Sequence, residues 1–136
     1  MAQYGHARHF CSWAGICPGN NESGGKRHSG RTNDGDKWLK GVLTEAAWAA
    51  VRTKKSYFSA QYRRLAARRG KKRALVAVGH SILTIVFHLI NNKASNIELG
   101  DTSFDKLNTE RLKRHLTKRL ESLGYQVGLT KRETAA

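Results

Sequence analysis

Acidic residues are scarce in this chain. Its 136 residues include 10 Asp and Glu against 25 Lys and Arg, a formal net charge of +15. A surface that neutralises itself is excluded, and a polyanionic partner, most simply nucleic acid, is implied. Cysteine is sparse as well. Cys11 and Cys17 are the only two, too few for the disulfide framework of a small secreted protein, so a reducing cytosol fits better. The opening MAQYGHARHF lacks the apolar stretch of a secretory signal. Long apolar runs are missing too. The longest, Ala74 to Ile90, is interrupted by Gly79, His80, Ser81, Thr84 and His88. A spanning helix needs about 20 predominantly apolar residues, so this stretch is expected to be a buried helix, with no membrane as partner.

What is present suffices for a modest core. Hydrophobic residues make up 39% and include three Trp, four Tyr and four Phe. Residues 6–17 read as a short helix with Phe10, Trp13, Ala14 and Cys17 on one face, stopped by Pro18. Residues 18–36, PGNNESGGKRHSGRTNDGD, read as a long loop, and loops of that length are usually functional or disordered. Asp36 is expected to cap a helix from Lys37 to about Thr53, with Trp38, Leu39, Val42, Leu43, Ala46, Ala49 and Ala50 inward. A second helix runs from about Ser56 to Arg69 with Phe58, Tyr62 and Leu65 inward, and Gly70 stops it. The helix from about Lys72 to Asn91 is apolar on most sides and belongs at the centre. After a polar connection over 92–108, Asn108 caps a helix whose Leu112, Leu116, Leu120 and Leu123 form a stripe read as core. Tyr125 to Leu129 suggests a short terminal strand or extended segment, and residues 130–136 a polar tail. The fold class expected is all-α, a compact bundle of four to five helices occupying residues 1–129.

Three features bear on chemistry. The glycine loop does not satisfy the phosphate-loop pattern: Gly25 stands where that pattern has Lys, Lys26 is followed by Arg27 rather than Ser or Thr, and no buried strand precedes it. Ser23, by contrast, precedes two glycines, so its hydroxyl is uncrowded, and Lys26, Arg27 and Arg31 follow closely. A serine attacking phosphorus needs an accessible oxygen and charge neutralisation on the non-bridging oxygens. An ordinary serine in a basic loop is the other reading of the same residues.

The second feature is a basic run. Residues 52–73 carry Arg52, Lys54, Lys55, Arg63, Arg64, Arg68, Arg69, Lys71, Lys72 and Arg73, with no acid among them. Arg68 and Arg69 suit a helix C-terminus. Lys71, Lys72 and Arg73 open the next helix, where the dipole disfavours cations. Contact with a nucleic-acid backbone explains the run, and a solvated surface is the alternative. The third feature, His6, His9, Cys11 and Cys17, has the residue types of a zinc site without the spacing of a common zinc module. His80 and His88 lie on the apolar helix and read as core or interface histidines.

The stretch SWAGICPGNNESGGKRHSGRTNDGDKWLK resembles the C-terminal domain of DNA transposases of the family named after insertion sequences 110, 116 and 902. QYRRLAARRGKKRALVAVGHSIL and RLKRHLTKRLESLGYQV resemble the same family, so the likeness covers nearly all of residues 1–129. It implies that Ser23, in NESGGK, is a nucleophile that attacks a DNA phosphodiester and forms a phosphoserine intermediate. It further implies DNA and a structured guide RNA as partners, homo-oligomerisation of the full-length enzyme, and a cytoplasmic, nucleoid-associated location. The family's Mg²⁺ is bound by four acids of an N-terminal resolvase-like domain. The acids of this chain are scattered and form no such set, so no cofactor is expected within it. The chain is accordingly expected to be a truncated transposase or one piece of a split gene, inactive in cleavage without that acidic half. A non-catalytic basic helical module for DNA or RNA remains the competing class.

Overall fold

Local capping sets the start of two central helices. Asp36 has extended backbone, and its Oδ1 accepts from the Leu39 N–H at 2.6 Å, so α2 begins at Lys37 (Lys37–Arg52). Ser56 repeats the device, its Oγ accepting from Ser59 N–H at 3.1 Å, to start α3 (Tyr57–Arg69). Gly70, at φ +86°, both closes α3 and precedes α4 (Lys71–Asn92) without an intervening loop. Only a residue free of a Cβ takes that angle readily. Ahead of these lie α1 (Ala7–Trp13) and the strands β1 (Asn21–Ser23) and β2 (Lys26–Ser29). After them come α5 (Ser103–Leu107) and α6 (Thr109–Glu121). The computed structural model describes residues 3–19, 21–107 and 109–130, without the side chain of Arg27. The expected cap Asn108 and residues 131–136 of the expected tail lie outside these described residues.

The described residues from 3 to 102 form one compact unit. Helices α1, α2 and α3 all pack on α4, and α2 also packs on α3. Two apolar clusters result. Phe10, Cys11, Ala14, Ile16, Leu43, Leu83 and Phe87 make one, and Ala47, Leu75 and Val78 the other. By length and composition alone α4 would reach across a bilayer. Here its buried positions Ala74, Leu75, Val78, Gly79, Leu83 and Phe87 belong to the core shared with three helices. The mostly helical, all-α architecture agrees with the sequence.

Several details differ. On α2 the buried residues are Leu43 and Ala47, while Trp38 is 86% exposed and Val42 and Ala49 also face outward. The apolar stripe is wider than the surface available to cover it, and positions 39, 43, 46, 47 and 50 turn toward the core. Trp13 is half exposed, its ring stacked on Phe10 at 5.9 Å rather than buried. Residues 18–36 are not a structureless loop, because β1 and β2 make an antiparallel hairpin inside them.

The described residues from 103 to 130 fall in a second unit. No residue of α5 or α6 is buried, and Leu116, Leu120 and Leu123 are exposed. The leucine stripe is thus an amphipathic face and not the core that its spacing suggests. Tyr125 to Leu129 forms no strand. A strand needs a ladder partner for its backbone N–H and C=O groups, and none of the described residues provides one.

Candidate nucleic-acid and nucleophile site

The Ser23 loop is tied at its base. Gly15, at φ +69°, and Gly35 pass backbone against backbone, and a Cβ on Gly35 would lie 2.6 Å from the Ala14 carbonyl carbon. Further rungs close the neck on both sides of this crossing. Gly19 N–H donates to Arg31 O at 2.7 Å, Asn33 N–H to Cys17 O at 3.3 Å, and Asp36 N–H to Trp13 O at 3.4 Å. Pro18 bridges Thr32, whose Oγ1 accepts from Lys40 Nζ at 2.8 Å. The loop is thereby fastened to both α1 and α2.

Above the neck the hairpin projects. Asn21 pairs with Ser29, Glu22 with Arg27 and Ser23 with Lys26, with a bulge between Asn21 and Glu22. Gly24 and Gly25 make the turn at φ +57° and +73°. Two successive positive φ values match the twist of a two-residue hairpin, and glycine takes them at least cost. Ser23 stands at the last rung, exposed, directly opposite Lys26. The glycines leave open space around the turn. Among the described elements the hairpin packs on no helix.

The structure therefore brings Lys26 to Ser23, but not Arg31. Arg31 sits at the neck, five residues from Lys26, up to about 16 Å along an extended strand. The Arg27 side chain lies outside the described residues.

A second cationic centre forms where α3 meets α4. Arg68 and Arg69 end α3, Lys71, Lys72 and Arg73 open α4, and all five are exposed around Gly70. The first turn of α4 has no side-chain cap and no acid. Its backbone N–H groups and the flanking cations thus share one corner. Arg63 and Arg64 lie nearer the middle of α3, exposed, with Arg63 Nε donating to Ser59 O at 3.4 Å. This corner and the Ser23 loop are attached to different halves of α4. Cys11 of α1 lies against Thr84, Sγ to Oγ1 3.6 Å, about 20 Å along the helix from Lys71.

Cys11 is buried against α4, while Cys17 is half-buried beside the Arg8 carbonyl, and burial pushes both thiols above their ordinary value. Among the described residues no group of three or more His, Cys, Asp or Glu is placed to hold a metal ion. Sequence reasoning did not find the Gly15–Gly35 crossing, because the contact joins residues far apart in the chain. Nor did it join His6 and His9 to His80 and His88, which line one groove of about 830 Å³ between α1 and α4. The available signal was the spacing of His80, Thr84, Phe87 and His88, which puts them on one helical face.

Residues 1–63 match the model of a family described as Transposase IS116/IS110/IS902 family, a little under half of the 136-residue chain. No curated protein and no solved structure matches the chain. The family match supports a transposase role in general and, with that role, DNA as a partner.

Proposed function

We propose that this chain supplies the serine nucleophile and much of the DNA-binding surface of a transposase. The observation that carries the reading is Ser23, exposed at the tip of a pinned two-glycine hairpin with Lys26 across from it. In this reading the Ser23 Oγ forms a bond to phosphorus as a bridging P–O bond of the strand breaks. The proton lost from the hydroxyl is taken up overall at the departing sugar oxygen, giving a phosphoserine diester and a free hydroxyl end. Lys26 offsets charge on the non-bridging oxygens, and the open turn leaves room for in-line approach. Arg27 is assigned the same role from its place in the sequence. Arg31, at the neck, meets the DNA backbone farther along.

Arg63, Arg64, Arg68, Arg69, Lys71, Lys72 and Arg73 hold DNA by its phosphates rather than by its bases. Among the described residues no set of acids is placed to hold Mg²⁺. In this reading the metal-binding acids reside in a separate resolvase-like domain, and the complete enzyme works as an oligomer with a guide RNA.

The test supplies that acidic domain together with supercoiled target DNA and looks for a covalent protein–DNA adduct. An adduct with the wild type that disappears in Ser23→Ala supports the assignment. One that persists in Ser23→Ala removes it, and leaves the non-catalytic binding module as the better description.

A further inference from the structure

The groove between α1 and α4 has a chemistry that the Ser23 reading does not use. His6, Arg8 and His9 line it from the α1 side, and His80, Phe87 and His88 from α4. The rings are arranged as edges and faces: His6 and His9 meet T-shaped at 5.6 Å, and Phe87 and His88 at 5.5 Å. Among the described residues no Asp or Glu lines it. At about 830 Å³ the groove has the scale of a small-ligand cleft, suited to a few unstacked bases and too small for a duplex.

Its location matters equally. The groove opens at the N-terminal end of α1, and the neck of the Ser23 loop leaves from the C-terminal end. The seven residues of α1 amount to about 10 Å. Cys17, inside the neck, reaches back to the Arg8 carbonyl at 3.9 Å. The groove is therefore fixed to the same short helix that anchors the hairpin.

Imidazole rings and guanidinium planes stack on nucleobases, and a guanidinium also pairs with phosphate. We propose that the α1–α4 groove holds an unpaired stretch of DNA strand beside the phosphodiester that Ser23 addresses. The bases stack on His9 and His88, and Arg8 meets the backbone. Only the position of that phosphodiester rests on the nucleophile reading. The strand-binding activity of the groove stands apart from it.

Protonated imidazoles strengthen the contact with a polyanion. The titratable and charged groups facing the groove are His6, Arg8 and His9 from the α1 side and His80 and His88 from α4, with no carboxylate to reverse the sign. Burial and Arg8 favour neutral His80 in the free protein. Bound phosphate opposes that effect, so affinity rises as pH falls.

The experiment titrates a fluorescently labelled single-stranded DNA with the full chain, alongside a duplex and a single-stranded RNA of the same sequence. The variants are His9→Asn/His88→Asn and Arg8→Gln, all at exposed positions. Circular dichroism melting verifies that they fold. The double variant is expected to lose about tenfold in affinity for single-stranded DNA while duplex affinity is kept. Wild-type affinity is expected to be higher near about pH 6 than about pH 8, a difference that shrinks in His80→Gln. Unchanged single-strand affinity in both variants, an equal loss on the duplex, or a loss confined to RNA overturns the proposal. If the Ser23 adduct fails to form while the single-strand loss is seen, the nucleophile reading falls and the groove stands. An adduct with single-strand binding unaffected gives the reverse.

Discussion

Gly15 and Gly35 touch backbone to backbone at the neck of the loop that carries Ser23, in a space with no room for even a methyl group. Gly35→Ala is therefore expected to cost about 1–3 kcal/mol, as overpacking does, through displacement of the neck. A thermal melt of the variant, with adduct formation measured in parallel, checks this. The adduct should fall more than the modest stability loss predicts, because the hairpin is aimed by that neck.

The turn glycines make the opposite case. Nothing lies within 4 Å of a Cβ at Gly24 or Gly25, so any penalty there comes from positive φ alone. Gly24→Asn is expected to keep the hairpin, since Asn-Gly suits the same turn. Gly25→Val is expected to disrupt it, at about 1–2 kcal/mol for the left-handed backbone of a side-chain-bearing residue. Backbone chemical shifts of Ser23 and Lys26 report the outcome for each variant.

The α3–α4 corner predicts the salt dependence of duplex binding. If about six phosphates are neutralised, the log–log slope against salt should be near −5. Replacing Arg68, Arg69, Lys71 and Lys72 by Ala should flatten that slope while leaving the melting temperature nearly unchanged, because all four side chains are exposed. A slope unaffected by the quadruple change would place the contact elsewhere.

Ser56 holds the α2–α3 junction. Its buried hydroxyl accepts from Ser59 N–H at 3.1 Å and reaches the Thr53 carbonyl at 3.0 Å. Ser56→Ala should lower stability by about 1–2 kcal/mol, the range for loss of an N-cap. Chemical denaturation with an unchanged m-value is the appropriate measurement.

His80 sets a pH dependence of stability. Burial first, and the Arg8 charge second, lower its pKa from the usual 6.5. The unfolded chain therefore takes up the proton more readily. This contribution is intact above the unfolded value and is lost as pH falls through the lowered folded one. Urea midpoints measured from about pH 7 down to about pH 5 should decline, and His80→Gln should flatten part of the decline.

The helical skeleton was legible because Asp36, Ser56 and Gly70 act locally. A cap or a stop is decided within a turn of the chain. Trp38 and Val42 were misplaced because periodicity shows that a helix has an apolar side without giving the width that neighbours cover. The Leu112 to Leu123 stripe repeats that lesson, since its spacing says nothing about what lies opposite. The hairpin escaped notice because its strands are polar and exposed, so the alternation that marks a half-buried strand is absent although Gly24–Gly25 signalled the turn. The exposed place of Ser23 beside a glycine turn was legible from its two glycines, and the structure adds that Lys26, not Arg31, stands opposite it.

Gly70 is the entire connection between two helices, and this makes the cationic corner a ruler. Spacing between the charges of Arg68 and Arg69 and those of Lys71, Lys72 and Arg73 is dictated by two helical repeats, with no slack to adapt to the polyanion. One residue inserted after Gly70 would lengthen that connection and change the spacing of the two sets of charges without altering their number, since the buried Ala74, Leu75 and Val78 hold the rotation of α4. If the proposed DNA contact is made here, such a corner would gauge the geometry of a sugar–phosphate backbone as well as attract it.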